Sequence, residues 1–117
     1  MVGMVHADVH GEDWTAMIRV LEDPAHDKHD EAVRAAAHSR KRFQDAKAYR
    51  RRPKAAEAKR FQVAGVDHVF FGHCITKEPL SLGNLSWIDT GAFRSGVLTM
   101  VEIDTHVTGL SPVRKAA

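Results

Sequence analysis

The sequence has a single cysteine, Cys74, and therefore cannot form an internal disulfide. With so little cysteine, a reducing, cytoplasmic location is the expectation. No apolar run approaches the roughly 18 residues of a membrane span, and the amino terminus lacks the basic start and long apolar core of a signal peptide. Cys-x-x-Cys pairs, a Gly-rich phosphate loop and a Gly-x-Ser-x-Gly elbow are also absent. These absences argue against the commonest zinc, nucleotide and serine-hydrolase sites.

The 117 residues have the composition of one ordinary globular domain, with 44% apolar and 27% charged residues. The net charge of +2 conceals an uneven distribution. Residues 8–31 carry eight acidic and two basic side chains, whereas residues 40–60 carry ten basic and two acidic ones. Because Pro53 interrupts the basic run, residues 49–59 are predicted to form an exposed loop. Binding of an anionic partner is the alternative interpretation of this loop.

Apolar patterning predicts an α/β fold with about four strands and two helices between the first and second strands. Apolar residues recur at i, i+3, i+4 and i+7 from Trp14, which indicates one helix with Asp13 as its N-cap. A second helix is predicted over residues 30–49, and Pro79 and residues 81–84 are predicted to lie in a loop and a turn. The predicted strands are residues 1–5, 69–71, 85–88 and 97–103, followed by a polar, frayed tail over residues 105–117.

Two histidines follow predicted strands directly and are the candidate metal ligands. His73 comes after Gly72 at the end of the wholly apolar run 69–71, and His6 follows the first strand. Open α/β sheets bind ligands at the carboxyl ends of strands, so the two imidazoles would converge if the strands were neighbours. The alternative for His73 is a hydrogen-bonded structural residue. Two imidazoles alone bind a metal weakly; the nearby side chains that could complete a site are Asp8, His10 and Asp13.

Arg40 lies seven residues after Val33 and so continues the apolar stripe of the second predicted helix. A cation on that side of the helix either reaches the surface along its aliphatic stem or meets a phosphate or carboxylate. Cys74 is predicted to be a small residue of a tight loop. A cysteine-dependent phosphatase needs an arginine six residues after its cysteine, and that position is Leu80.

Four blocks of residues occur in one order and carry a family resemblance. They are residues 5–8 (Val-His-Ala-Asp), 39–42 (Ser-Arg-Lys-Arg), 69–73 (Val-Phe-Phe-Gly-His) and 88–92 (Ile-Asp-Thr-Gly-Ala). In this order they resemble the carboxyl-terminal half of the bacterial and phage-type serine/threonine protein phosphatases, of the calcineurin-like metallophosphoesterase superfamily. We therefore expect residues 1–104 to be half of a metallophosphoesterase α/β sandwich.

The resemblance implies that His6 and His73 are metal ligands and that Arg40 binds the substrate phosphate. In the family a two-metal centre activates a hydroxide that attacks phosphorus, and arginines hold the phosphoryl oxygens. Manganese is the expected metal, with iron or zinc as alternatives. The implied substrate is a phosphorylated protein or a small phosphoester. No membrane partner is expected, and nucleic acid is the less favoured partner.

The sequence also departs from the family's pattern. His38 stands where the family has tryptophan, and Cys74 where it usually has threonine. The family's Gly-Asp-x-x-Asp-Arg-Gly and Gly-Asn-His-Glu blocks are absent, so we expect weak or no phosphatase activity from this chain alone. In an alternative alignment, Asp8 and His10 match the family's opening Asp-x-His-Gly motif and serve as the metal ligands instead.

Two further hypotheses come from other functional classes. The chain could be a non-catalytic module that uses its basic stretch to bind nucleic acid or an acidic protein, although few aromatic residues are interleaved with the basic ones. It could also be a truncated product that folds as a homodimer or with a missing amino-terminal half, because a half-sheet exposes an edge.

Overall fold

A computed structural model of the protein describes residues 1–103 and 114–116 and shows an α/β fold built on a mixed four-stranded sheet. Three α-helices and a 3₁₀ helix separate the first two strands, where two helices were predicted. The elements in chain order are β1 Val2–Val5, α1 Trp14–Glu22, α2 His29–His38, α3 Lys41–Arg51, the 3₁₀ helix Ala55–Phe61, β2 His68–Phe71, β3 Leu80–Leu82, β4 Leu85–Trp87, α4 Ala92–Ser95, β5 Leu98–Met100 and β6 Arg114–Ala116.

The order of strands in the main sheet is β1-β2-β4-β3. The first three are parallel, with Val5 opposite Phe71 and Phe71 opposite Trp87, and β3 runs antiparallel to β4. The carboxyl ends of β1, β2 and β4 therefore meet at one edge of the sheet. Ligands bind at such an edge in parallel sheets.

The hydrophobic core lies on the face of the sheet that α1, α3 and the 3₁₀ helix cover. Trp14 and Met17 from α1 join Phe43 from α3 and the central pair Phe71 and Trp87, whose rings stack 4.9 Å apart. Gly3 is required beneath Trp14, because a Cβ at position 3 would stand 2.6 Å from the indole ring. Asp13 caps α1 as predicted, since its carboxylate accepts a hydrogen bond from the amide of Ala16 at 3.0 Å.

The prediction of one helix over residues 30–49 was wrong, because the chain breaks at Ser39 and Arg40 between α2 and α3. Ser39 has an extended backbone, with φ −65° and ψ 135°. Its hydroxyl accepts a hydrogen bond from the amide of Lys41 and donates one to Asp8 at 3.3 Å. Serine competes with helical hydrogen bonds in this way, which ends one helix and starts the next.

Other boundaries also differ from the predictions. The basic run predicted as a loop is helical up to Arg51 and again in the 3₁₀ helix. Leu80–Leu82 forms a strand, since the turn at Gly83 folds it back on β4. The last predicted strand shortens to β5, which pairs with β6 in a separate two-stranded sheet. Most of the predicted tail, residues 105–113 and 117, lies outside the described residues; in the part that is described, no helix is long and apolar enough to cross a membrane.

Candidate functional site

His6 and His73 lie side by side at the carboxyl-terminal edge of the sheet. Their ring centroids are 4.8 Å apart and the ring planes are tilted by 52°. The parallel pairing of β1 with β2 produces this contact, and it extends one step past the strands because the Gly72 amide donates to the His6 carbonyl at 3.1 Å. The convergence predicted from the two strand ends is therefore present in the fold.

His73 has a left-handed backbone, with φ of 57°, and within residues 1–103 it is the one non-glycine residue with positive φ. This conformation is uncommon for residues other than glycine, although asparagine, aspartate and histidine adopt it more often than the rest. Non-glycine residues in this conformation cluster at functional sites. The turn is tight, since the Cys74 amide donates to the Gly72 carbonyl at 2.6 Å. The imidazole of His73 is thus held by a strained turn at the end of a buried strand.

A pocket of about 490 Å³ opens beside His6, on the sheet face opposite the main core. The ends of three parallel strands line it, including Phe71, Gly72 and Asp89, while α4 and β5 close the other side. Asp89 is held in place because one carboxylate oxygen accepts from the Gly91 amide at 2.9 Å and its carbonyl accepts from the Thr76 amide. The remaining lining is largely apolar: Met4, Val5, Phe70, Ile88, Ala92 and Leu98.

Arg40 lies at the N-cap of α3 and is exposed to solvent. Its side chain therefore reaches the surface, as one of the two interpretations predicted. Its charge lowers the pKa of the thiol of Cys74, the residue that follows His73. Among the described residues it makes no hydrogen bond or ion pair, so its five donors are available to a ligand.

The buried cation of this region is Arg42, two residues further along, which sequence reasoning did not single out. Its Nε donates to the Asp8 carboxylate at 2.8 Å, in an ion pair whose side chains are 7% and 8% exposed. Its two terminal nitrogens donate to three carbonyl oxygens, those of Val9, Gly11 and Arg60, at 2.6 to 3.1 Å. Its spacing in the sequence could have indicated its burial, because Arg42 adjoins Phe43 and precedes Ala46 by four residues, on the buried side of α3.

Asp8 connects the two parts of the candidate site. Besides Arg42, its carboxylate accepts from the Ser39 hydroxyl at 3.3 Å and from its neighbouring amide, that of Val9, at 2.7 Å. The loop that follows His6 is thereby fixed to the helix junction that carries Arg40. Asp8 thus acts as a positioning residue, and both of its oxygens are occupied. His10, its partner in the alternative alignment, contacts the Glu31 carboxylate at 3.6 Å.

Cys74 is a buried, free cysteine. Burial raises the pKa of its thiol above the ordinary value, and the charges of Asp8 and Asp89 raise it further. Arg40 and Lys47 act in the opposite direction without overcoming the burial. The group is therefore a protonated thiol at neutral pH and a poor nucleophile, consistent with the prediction of a small residue in a tight loop.

The two histidines fit a shared metal ion in part. With metal–nitrogen bonds of about 2.1 Å, two imidazoles on one ion place their centroids roughly 5 Å apart, close to the observed separation. Neither ring makes a hydrogen bond to another described residue. However, no group of three or more potential ligand side chains is assembled anywhere in the described part of the chain.

A comparison with known protein families finds none that matches this chain.

Proposed function

We propose that the chain is a metal- and phosphate-binding segment of phosphoesterase type, with His6 and His73 as the metal ligands and Arg40 as the phosphate-binding residue. The observation that carries the proposal is the contact between the two imidazoles at the ends of neighbouring parallel strands. Imidazole is the commonest metal ligand among side chains. Two unpaired rings at a ligand-binding sheet edge therefore favour this use over a purely structural one.

The surroundings of the two histidines support the same assignment. Arg40 is unpaired among the described side chains, and its charge acts on Cys74, the residue after His73. A planar guanidinium can bind a phosphoryl group with two hydrogen bonds. Asp8 is engaged by Arg42, which favours His6 and His73 over Asp8 and His10 as the ligand pair. The ion is manganese in this proposal, with iron or zinc as alternatives, and the substrate is a phosphorylated protein or a small phosphoester. The cell compartment is the cytoplasm.

In this proposal the segment binds metal and phosphate but hydrolyses phosphoesters only slowly. A bound divalent ion would polarise a phosphoryl oxygen. The chain's own residues orient that group through Arg40 and hold the imidazoles through Asp8 and Gly72. With two ligand side chains, where a catalytic site usually has three, and without the family's missing blocks, we expect very slow hydrolysis. Completion by a second copy or by an amino-terminal half is part of the proposal.

Manganese binding is the direct test. Titration of the full chain with Mn²⁺, followed by electron paramagnetic resonance of the free ion, should show one site that His6→Ala and His73→Ala each weaken at least tenfold. His26→Ala is a matched control, because that histidine lies on the exposed connection between α1 and α2. Equal binding by the wild type and the His6→Ala/His73→Ala double variant would refute the assignment.

A second measurement tests the expected lack of turnover. Hydrolysis of p-nitrophenyl phosphate by the chain with Mn²⁺ should stay near the rate of the metal alone. Manganese-dependent turnover that His73→Ala abolishes would show that the two-histidine site is catalytically sufficient and that our view of it as incomplete is wrong.

A further inference from the structure

Two exposed cations of α3 lie on the same side of the helix as its N-cap residue, Arg40. Lys47 and Arg51 follow Arg40 by seven and eleven residues, and these spacings bring side chains to the same side of a helix. All three are exposed. Within the described residues none is within 4 Å of a carboxylate, whereas Lys41 and Arg60 both pair with Asp45. We call Arg40, Lys47 and Arg51 the cation row.

Two members of the cation row, Lys47 and Arg51, form one wall of a cleft, and Arg40 precedes them on the same side of the helix. This cleft, of about 320 Å³, separates Lys47 and Arg51 from the loop before β3. The full lining of the cleft is Lys47, Arg50, Arg51, Thr76, Glu78, Pro79 and Leu80.

We propose that this cleft binds an acidic segment of a phosphorylated protein, in extended conformation, with the phosphorylated residue at Arg40. This rests on the proposed function, and it selects a protein substrate over a small phosphoester. The helix rises about 1.5 Å per residue, so Lys47 and Arg51 lie about 10 and 16 Å from Arg40 along α3. An extended peptide advances about 3.3 Å per residue. Because successive side chains of an extended peptide point to opposite faces, the acidic side chains that share a face with the phosphorylated residue and lie nearest Lys47 and Arg51 are four and six residues from it, at about 13 and 20 Å.

The lining favours a peptide over a nucleic acid. Single-stranded nucleic acid binds on aromatic side chains that stack with its bases, and the described lining of the cleft contains none. Pro79 and Leu80 offer apolar contacts to peptide side chains instead.

The test compares matched nine-residue phosphoserine peptides by fluorescence anisotropy in EDTA, with the full chain. One peptide pair carries Asp four and six residues after the phosphoserine, another carries Asp four and six residues before it, and the partner peptides carry Asn. We expect one acidic peptide to bind about two- to twentyfold more tightly than its Asn partner, the range for two exposed ion pairs. That ratio should fall as salt is raised.

Two variants of equal charge locate the effect. Lys47→Gln/Arg51→Gln should bring the Asp-to-Asn ratio to about one. Arg52→Gln/Lys54→Gln removes two cations that line a different cleft, with Asp45 and Glu57, and should leave the ratio unchanged. Equal ratios in the two variants, or a wild-type ratio of one, would overturn the proposal. Tighter binding of an oligonucleotide of equal charge through Lys47 and Arg51 would also overturn it, in favour of a nucleic-acid site.

The outcome is independent of the metal assignment, because the ratio is measured in EDTA. A chain that distinguishes Asp from Asn peptides but does not bind Mn²⁺ would retain the acidic cleft and lose the metal site. A chain that binds Mn²⁺ through His6 and His73 but binds both peptides equally would lose only the cleft.

Discussion

Replacing Arg42 by alanine should destabilise the protein more than any exposed substitution in α3. The side chain is buried and donates to the Asp8 carboxylate and to three backbone carbonyls, four hydrogen bonds in all. Its removal leaves a carboxylate that is 8% exposed without its cation. Breaking a buried ion pair in this way costs about 3–5 kcal/mol, a large fraction of the roughly 5–15 kcal/mol that stabilises a typical domain.

Urea unfolding measures the effect directly. For a slope of about 1–2 kcal/mol per molar urea, a loss of about 3 kcal/mol lowers the midpoint by roughly 1.5–3 M. Lys41→Ala is the control, because its ion pair with Asp45 is exposed and i,i+4 spaced, and such pairs contribute about 0.5 kcal/mol or less. Thermal unfolding replaces urea if the variant begins to unfold at zero denaturant.

A double variant separates the ion pair from simple packing. Asp8→Asn/Arg42→Met removes both charges, so it should cost less than Arg42→Ala alone, since no unpaired charge remains in the interior. If Arg42→Ala lowers the midpoint no more than Lys41→Ala does, the buried ion pair contributes nothing special. The role of Asp8 as the link between the His6 loop and Arg40 would then lose its support.

Three other predictions concern the Gly83 turn, at the amino-terminal end of β4 and away from His6 and His73, and the buried thiol of Cys74. Gly83→Ala should lower the free energy of unfolding by several kcal/mol, because position 83 has φ of 55° and a Cβ there would collide with the Phe61 carbonyl oxygen. Gly96→Ala is the control: with φ of 73° and open space around it, it should cost only about 1–2 kcal/mol for the left-handed backbone. Similar unfolding midpoints for the two variants would contradict this prediction. Cys74 should react with a disulfide reagent at pH 7.5 more than tenfold slower than a free cysteine, because the thiol is buried and its raised pKa keeps it protonated. Burial of the thiol also makes stability depend on pH, because the folded state favours the protonated thiol. This contribution to stability is complete below the unfolded-state pKa of about 8.5 and declines as the pH rises above it. The free energy of unfolding of the wild type should therefore fall more steeply over pH 8.5–10 than that of Cys74→Ala, and equal pH slopes would contradict the burial of the thiol.

The meeting of the two histidines was predictable because it depends on local rules. Each follows a short apolar strand, and adjacent parallel strands bring their carboxyl ends together. The sequence could not establish that β1 and β2 are neighbours, but their lengths and apolar character favoured one sheet. Similarly, the start of α1 followed from Asp13 and the apolar spacing after it.

The break between α2 and α3 was not predictable from local sequence. The apolar pattern of residues 30–49 favoured one helix, but Ser39 interrupts it: its hydroxyl accepts from the Lys41 amide and donates to a carboxylate 31 residues earlier. The same long-range contact explains why Arg42, and not Arg40, is buried. The apolar stripe that Arg40 was predicted to continue is not the buried face of α2, because Val33 is 43% exposed and Ala32 is the buried residue. After the chain turns at Ser39, the positions that face the core are Arg42 and Phe43.

The ladder hydrogen bond between Gly72 and His6 has a thermodynamic consequence for the whole chain. It places side by side two imidazoles that are 67 positions apart in sequence. An ion bound to both would act as a removable cross-link that closes this long loop, and it would dissociate when the chain unfolds. Linkage then requires the melting temperature to rise with the logarithm of metal concentration above the dissociation constant. The thermal stability of the protein would therefore report the concentration of free metal ion around it.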